Sequence, residues 1–494
     1  MLTADQIRTF IEADKASPRK QQAEVGDRYY NAQHDILKKR IFFINAQEQL
    51  QEDRTKSNIK KCHPFFMEQV DQLVQYLMSS DEAIIRSDDP ELQSELDDRF
   101  NENEGFQKEL RELLTGVCTK GFEYAYTYKD AQGKTTFECA DSLGVVEVRK
   151  HETEDHCEYI IYWYVDRIDK DGRRIKKIQV WDAQQVQFFC QIDDGEITLD
   201  ESEEINPRPH VVYKSNKDGD KKRYHHGGYG FIPFYRFDNN RRQTSDLQPI
   251  KALIDDYDLM SCGLANNIED TNEALYVVKG FEGDNLDELM LNIKAKKHVG
   301  VGENGSVEIE TVDIPVEARK TMMDIDEQNI YRFGMALNLH ALKDTSATTN
   351  IAIKSAYSLL DLKSEKLKPR LKCFLRWQIG LALDEINQAQ GTDYTQKDVY
   401  FVFKPEIPTN AQENAQIELT EAQKRQTEIN TVLNLRDTID DETLLQLICE
   451  QLELDYNDIK DKLPTETPGT DPAQAQAILR SLPTKPEGVM DDAE

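Results

Sequence analysis

The chain has 494 residues, of which 38% are hydrophobic, and a formal net charge of −31 at pH 7. A protein that grips DNA needs a surplus of Lys and Arg at the phosphates, so this charge excludes a DNA-gripping role for the chain as a whole. The length predicts about two to four domains, and the low hydrophobic fraction indicates either thin cores that are completed against neighbouring subunits or long disordered parts.

The N-terminal segment and the cysteines favour a chain that folds in a reducing compartment. The first 15 residues, MLTADQIRTFIEADK, are charged and lack the apolar stretch of a signal peptide. No stretch approaches the about 18 apolar residues of a membrane span, so we expect no association with a membrane. The eight cysteines are scattered without a C-x-x-C pair, which argues against a zinc site and a disulfide framework.

Amphipathic helices dominate the first part of the chain, and strands dominate the second. Residues 1 to about 120 predict helices, most clearly at Phe65–Leu77 and Phe106–Cys118. Between Phe122 and Phe237, short β-rich runs alternate with turns that contain Gly and Asp, such as DAQGK, DKDGR and DDGE. The fold class is therefore α+β with antiparallel sheets, and a polar loop over Tyr213–Gly230 closes the strand region.

A strand end, one long helix and a second strand follow one another between Phe231 and Gly280. Ser245 or Asp246 can cap the helix, which extends over residues 246–270. The helix is apolar on two faces and therefore needs two neighbours. We expect five apolar side chains to pack between helices of neighbouring subunits: Ile250, Ile254, Tyr257, Leu264 and Ile268.

The next stretch, Leu275–Val312, predicts a small mixed α/β module between two long helices. It contains one basic cluster, formed by Lys294, Lys296 and Lys297 with the adjacent His298. Lysines suit the C-terminal end of a helix, so a solvated helix end and a docking patch are both open interpretations.

The following block predicts a long helix, a short polar loop and another long helix. The loop, His340–Asn350, ends in Thr349 and Asn350, either of which can cap the helix that restarts after it. Pro369 lies inside the second helical pattern and predicts a kink, or else two helices that meet at Lys368.

The last part of the chain is polar. Val399–Phe403 predicts a strand, and residues 411–435 and 442–452 predict polar helices. Residues 464–494 contain five prolines and an acidic end, so we expect them to be disordered.

Four fragments imitate catalytic or metal-binding motifs and fail on spacing or context. The two histidines of His151–His156 do not share a helical face, and Gly133–Thr135 lacks the first glycine of a phosphate-binding loop. Asp169–Gly172 lacks the first and last ligands of a calcium loop, and His225–His226 fits a mobile surface loop better than a metal site. The sequence therefore predicts no catalytic residue, no metal site and no cofactor, and the missing phosphate-binding loop argues against an ATP-driven motor.

Four segments between about residues 231 and 390 carry a family resemblance. They are IPFYRFDNN, LIDDYDLMSCGLANNIED, NIYRFGMALN and IAIKSAYSLLDLK. Together they resemble the portal proteins of tailed double-stranded-DNA bacteriophages, of the type found in siphophages of Gram-positive hosts. One departure is Thr349-Asn350, which stands where members often carry a Ser-Gly pair before the last helix.

The resemblance implies a multi-domain portal fold with a wing, a two-helix stem, a small α/β clip, a long kinked helix and a helical crown. The implied boundaries are 1–245 for the wing, 246–270 and 315–339 for the stem helices, 271–314 for the clip, 340–350 for a tunnel loop, 351–398 for the long kinked helix that returns to the wing, 399–463 for the crown and 464–494 for a disordered acidic tail. The tunnel-loop residues implied to line a channel are Lys343, Asp344, Thr345, Ser346, Thr348, Thr349 and Asn350.

The resemblance also implies a function and partners. Portal proteins form a closed ring, usually a dodecamer, at one capsid vertex, through which DNA is packaged by the terminase motor and later ejected. The implied partners are double-stranded DNA, the large terminase subunit, head-completion or adaptor proteins, and the major capsid and scaffolding proteins, with assembly in the host cytoplasm and the virion as the final location. An acidic channel wall suits this role because it repels passing phosphates, although acidity is also a common solubility feature.

Two other classes of protein stay open from the sequence. A metal-dependent nuclease or hydrolase of phage origin is one, since the 92 acidic residues could contain a carboxylate cluster. A generic structural adaptor of a phage tail is the other, and the size and symmetry of its particle would distinguish it.

Overall fold

A computed structural model of the chain describes residues 2–404 apart from ten internal segments, and only short helical stretches between Leu419 and Gln446 beyond them. The segments left out are 45–47, 55, 81, 131, 152–156, 216–222, 272–274, 280–304, 311–313 and 339–349. The chain divides into two compact units, Met1–Pro408 and Thr409–Glu494. The first unit contains every element discussed below.

The described residues of the first unit form eight α-helices. They are α1 (Ala4–Lys15), α2 (Pro18–Tyr30), α3 (Phe65–Met78), α4 (Pro90–Leu96), α5 (Glu104–Lys120), α6 (Lys251–Thr271), α7 (Val316–Gly334) and α8 (Asn350–Gln390). Short polar side chains start several of them: the Thr3 hydroxyl accepts from the Gln6 amide at α1, and the Asn103 side chain accepts from the Phe106 amide at α5. The predicted helices at 65–77 and 106–118 are confirmed as α3 and α5.

The described strands are antiparallel throughout. They are β1 (Phe42–Ile44), β2 (Leu50–Glu52), β3 (Ile85–Arg86), β4 (Phe122–Lys129), β5 (Thr135–Ala140), β6 (Val145–Val148), β7 (Tyr159–Ile168), β8 (Arg174–Trp181), β9 (Gln185–Ile192), β10 (Ile197–Leu199), β11 (Arg208–Pro209), β12 (Val211–Ser215), β13 (Arg223–Gly227), β14 (Phe234–Asp238), β15 (Leu275–Lys279), β16 (Ser306–Glu310) and β17 (Tyr400–Phe401). The predicted α+β class is confirmed.

Two larger sheets make up the strand-rich region. One has six strands, with β10, β9, β8, β7 and β6 in order and β11 added against β9, and the other has the order β14-β4-β5. The predicted turns are confirmed: Gly133 and Gly172 adopt φ of 81° and 80°, which glycine tolerates best, where β4 turns into β5 and β7 into β8.

The prediction of a polar loop over Tyr213–Gly230 is corrected by the structure. β12 and β13 pair there, with Tyr213 opposite His225, so His225 and His226 lie in a strand and not in a loop. The strands are short and are separated by charged residues, so the β-rich pattern on either side was not recognised.

Three apolar cores hold these elements together. Helix α1 inserts Ile7 and Ile11 against one face of the six-stranded sheet, and a second core joins that sheet to the three-stranded one around Phe122 and Trp181. The largest core unites α3, α5, the start of α6 and the C-terminal half of α8, with Phe374 fully buried at its centre. This largest core is the base from which α6 and α7 extend.

Candidate functional site

Helices α6 and α7 pack against each other as an antiparallel pair. Near one end the Arg319 guanidinium lies 3.5 Å from the Met260 carbonyl oxygen, and further along, the carboxyl groups of Asp256 and Asp326 face each other. The partner of the later residue on α7 is therefore the earlier residue on α6, so the two helices run in opposite directions. With 21 residues, α6 is about 31 Å long.

A two-stranded ribbon connects the far ends of this helix pair. Leu275 at the start of β15 pairs with Glu310 at the end of β16, and Lys279 pairs with Ser306. This is the strand part of the module predicted over 275–312. Its predicted basic cluster, Lys294, Lys296 and Lys297, lies outside the described residues.

The C-terminal end of α7 is fixed to α3 by hydrogen bonds, most of them between α3 side chains and backbone groups. The Gln69 amide donates to the Ile330 carbonyl at 3.2 Å, and Gln72 both donates to the carbonyl of Leu337 and accepts from its N–H, at 3.1 and 3.0 Å. The Tyr331 hydroxyl donates to Glu68 at 2.8 Å. The chain therefore leaves α7 from a rigid base before it enters segment 339–349.

The five apolar residues predicted to pack between subunits divide into two groups. Ile250 and Ile254 are 0% exposed within one chain, in the largest core, so the prediction of contact with a neighbour is corrected for these two. Tyr257 is half-buried, with its ring 4.9 Å from that of Phe65. Leu264 is half-buried and Ile268 is 49% exposed, so the surface left for a neighbour lies toward the far end of α6.

An extended segment, residues 57–63, lies along α6 and is called the strap below. Its alternate backbone N–H groups donate to α6 side chains four residues apart. The pairs are His63 to Asp258 at 3.0 Å, Lys61 to Cys262 at 3.1 Å, Ile59 to Asn266 at 2.6 Å and Ser57 to Asp270 at 3.0 Å. The match is geometric, because two residues of extended chain and four residues of α-helix both advance about 6 to 7 Å.

Asp258 holds the strap at its most buried point. Its two carboxylate oxygens lie 2.6 Å from Nδ1 of His34 and 2.7 Å from Nδ1 of His63, and both Asp258 and His34 are 0% exposed. Burial by itself raises the pKa of Asp258, but the hydrogen bonds from the two histidines outweigh it and keep that pKa below its ordinary value.

Cys62 completes a group of possible metal ligands with His34 and Asp258, since their ligand atoms lie within 4.8 Å of one another. Two atoms bound to one zinc ion stay about 3 Å or more apart, because each bond is about 2.0 Å long. The 2.6 Å separation of His34 and Asp258 is that of a hydrogen bond. The arrangement therefore fixes the strap to α6 and does not coordinate an ion in this geometry.

Helix α8 begins at Asn350, one residue before the predicted start at 351, so Asn350 lies in the helix and not in the predicted tunnel loop. The other predicted tunnel-loop residues, between Lys343 and Thr349, lie outside the described residues. Pro369 lies inside a single helix of 41 residues, so the alternative of two helices meeting at Lys368 is wrong. The missing N–H of Pro369 is tolerated there, and the kink itself stays a prediction.

Basic side chains of α8 contact the end of α7, the turn before α6 and the end of β14. The Lys363 ammonium donates to the Gly334 carbonyl at 3.0 Å and lies 3.1 Å from a carboxylate oxygen of Asp246. Arg370 reaches the Asp238 carbonyl at 3.3 Å. Lys363 thus ties α8 to the C-terminal end of α7 and to the turn before α6.

Sequence reasoning missed the strap and the carboxylate that holds it. The one available signal was Asp258 itself, a charged residue that follows the buried Ile250 and Ile254 at four-residue spacing on α6. Among the described residues, no helix combines the length and the hydropathy that crossing a bilayer requires.

Comparisons with known proteins identify relatives of this chain. The family model "Phage portal protein, SPP1 Gp6-like" matches residues 11–455. The portal protein of Bacillus phage SPP1 is 27% identical over 352 residues, which cover 71% of this chain and 67% of the relative. The portal protein of Clostridium phage phiCD119 is 24% identical over 382 residues, which cover 74% of this chain and 79% of the relative.

Among solved structures, the neck of a native GTA particle computed with C12 symmetry is 11% identical, covers 78% of this chain and 89% of that chain, and has a TM-score of 0.37. The neck of an empty GTA particle computed with C6 symmetry has the same TM-score of 0.37 at 10% identity. The match to the family model extends over most of the sequence, well beyond the segments that carried the resemblance. The chain belongs to the SPP1 Gp6-like family of phage portal proteins.

Proposed function

We propose that the chain assembles into a closed ring of twelve copies at one vertex of a phage capsid, and that duplex DNA passes through this ring during packaging and ejection. The observation that carries the proposal is the family match over residues 11–455, which includes the antiparallel α6–α7 pair and α8. In this assignment α6 and α7 are the stem, the β15–β16 ribbon belongs to the clip, and segment 340–349 is the tunnel loop.

The charge of the chain supports a conduit. Each copy carries a formal charge of −31, and α6 and α7 together contain nine acidic and four basic residues. A wall of this sign repels phosphates over about 10 Å at physiological salt, so that DNA can slide without lasting contacts. No step in this role requires a catalytic residue or a cofactor.

The partners follow from the role. The ring is expected to exchange the large terminase subunit for head-completion or adaptor proteins at the clip, where Lys294, Lys296 and Lys297 would offer a basic docking patch. Scaffolding and major capsid proteins would contact the wing. Of the predicted stem residues, Tyr257, Leu264 and Ile268 are proposed to meet a neighbouring subunit.

Negative-stain microscopy of the purified full-length chain tests the ring directly. Class averages should show closed rings with a central hole, and twelvefold symmetry would match the proposed copy number. A monomer at all concentrations, or an open filament, contradicts the proposal. Mg²⁺-dependent cleavage of duplex DNA by the same sample would instead favour the nuclease alternative.

A further inference from the structure

A small hairpin, formed by β1 and β2 and called the apolar hairpin below, exposes large side chains. Phe42 is 49% exposed, Phe43 43%, Ile44 71% and Leu50 70%. Its two strands pair only with each other among the described strands, with Ile44 opposite Leu50. A lone two-stranded hairpin is marginally stable, and a cluster of exposed apolar side chains marks a contact with another molecule.

The apolar hairpin is held in place at its base. The strap follows it in the chain and lies on α6 up to Asp270. The preceding leg is tied to the strap where the Asn58 amide donates to the Lys39 carbonyl at 3.2 Å and the Lys60 ammonium donates to the Leu37 carbonyl at 2.7 Å. A fixed base lowers the entropy lost when the hairpin binds a partner.

The surroundings of the hairpin are basic in a strongly acidic chain. Residues 38–61 contain seven Lys and Arg against three Asp and Glu, whereas the whole chain carries −31. The basic residues are Lys38, Lys39, Arg40, Arg54, Lys56, Lys60 and Lys61. An apolar tip with a basic rim is suited to an apolar surface with an acidic rim.

The α6–α7 pair presents such a surface. Ile268 on α6 is 49% exposed, and Val316 and Ile325 on α7 are 40% and 46% exposed. Of the nine acidic residues of the pair, Asp258 and Asp326 are buried, whereas the exposed ones include Glu269, Asp270, Glu317 and Asp324. A closed ring requires two different surfaces that complement each other on successive copies, because its contacts are head-to-tail.

We propose that the apolar hairpin of one copy packs on the α6–α7 pair of the neighbouring copy in the ring. The inference rests on the proposed ring function and adds the surfaces that build it. The aromatic and aliphatic tip covers the exposed residues of α6 and α7, and the basic rim meets their acidic residues. The strap makes this contact stiff, since it joins the hairpin to the α6 of its own copy.

Paired substitutions test the contact. Ile44→Asp with Leu50→Asp should lower the fraction of ring at a fixed concentration at least roughly tenfold, because each contact then buries charges without partners. Thermal unfolding of the isolated subunit should stay unchanged, since both side chains are exposed. The matched control is Leu199→Asp, at a strand position that is 52% exposed on the wing, and it should leave ring formation intact.

Cross-linking identifies the occupant. Rings are assembled from a mixture of ordinary and ¹⁵N-labelled chains that carry a photo-crosslinking residue at position 44, and the cross-linked peptides are analysed by mass spectrometry. Peptides that join an ordinary to a labelled chain, from the hairpin to α6 or α7, are the expected result. Rings that form normally with both aspartates, cross-links confined to one copy, or cross-links to another part of the neighbour would overturn the inference.

Three further outcomes separate this contact from other roles. A variant in which Lys38, Lys39 and Arg40 are replaced by Glu gives the first. If this variant forms rings but no longer binds linear duplex DNA, the rim is a nucleic-acid surface and the inference fails. If the wild-type protein forms no ring at all, the proposed function fails with it. If the wild type and the aspartate variant both form rings, the proposed function stands and only the inferred hairpin contact is wrong.

Discussion

The carboxyl groups of Asp256 on α6 and Asp326 on α7 face each other across the helix pair. Asp326 is only 2% exposed, and one of its oxygens has no hydrogen-bond partner among the described residues. Burial, together with the negative charge of Asp256, raises the pKa of Asp326 to about 6. At neutral pH the pair therefore places two like charges at the contact between the two helices.

Asp326→Asn should stabilise the subunit at pH 7.5 and have little effect at pH 4. The folded chain keeps the Asp326 proton up to about pH 6, whereas the unfolded chain releases it near about pH 4, so stability falls across that interval and stays lower above it. The expected gain at pH 7.5 is on the order of 2 °C in the unfolding midpoint.

Thermal unfolding of wild type and variant at the two pH values measures this difference. Asp324→Asn is the control, because it removes an exposed carboxylate from the same helix. Equal gains at pH 4 and pH 7.5, or an equal gain from the control, would show that the pairing of Asp256 with Asp326 is not the cause.

Asp258→Asn should release the strap. The substitution replaces a carboxylate that accepts hydrogen bonds from His34 and His63, and breaking a buried pair of this kind costs about 3 kcal/mol. The depressed pKa of Asp258 means that the stabilisation is present above about pH 4, the unfolded value, and is lost as the pH falls through the lower folded value. Wild type and variant should therefore differ most at neutral pH and converge in strong acid.

Hydrogen exchange reads out the strap itself. In the wild type the amides of Ser57, Ile59, Lys61 and His63 should exchange slowly, because each donates to an α6 side chain. Protection of these amides should fall in Asp258→Asn and stay largely intact in Asp270→Asn, which makes the same change at the exposed end of α6 and keeps an oxygen that can accept from the Ser57 amide. Uniformly fast exchange of all four in the wild type would show that the strap is not bound along the helix.

The strands β4 to β9 and most of the helices of the first unit could be predicted from sequence because their signals are local. Alternating residues and glycine turns mark β4 to β9, and the turn glycines Gly133 and Gly172 have the positive φ that such turns require. The strap could not be predicted, because its backbone N–H groups bind side chains about 200 residues away and leave no periodic pattern.

The position of the subunit interface was also hidden from sequence. Two apolar faces on α6 show that it has two neighbours but not whether both belong to the same chain. Ile250 and Ile254 pack against neighbours within the subunit's own core, whereas Ile268, near the far end of α6, is exposed. Periodicity predicts burial and leaves open which chain provides it.

Substitutions along α6 separate the two kinds of burial. Ile254→Asp should destabilise the subunit by several kcal/mol, on the order of 4 kcal/mol, because a charge enters a core position that is 0% exposed. Ile268→Asp should leave subunit unfolding unchanged and weaken ring formation, since this side chain is 49% exposed in one copy. Calorimetry of dilute protein and sedimentation at higher concentration measure the two effects. Loss of rings by Ile254→Asp with an unchanged subunit would return that residue to the interface.

Lys343 is the one cation in the polar segment His340–Asn350, and we predict that it contacts DNA in transit. One lysine per subunit gives a ring of point charges, each able to touch a passing phosphate and release it, because an ammonium group binds phosphate without fixed geometry. Lys343→Glu, or Gly/Ser replacement of residues 343–348, should leave ring and procapsid assembly intact and lower the amount of DNA packaged or retained. Lys354→Glu is the control, because it makes the same charge change at an exposed position on α8 outside the loop. Nuclease protection measures the amount of DNA packaged per particle. Normal packaging by both loop variants, or a defect already present at assembly, would show that the segment is a plain connector between α7 and α8.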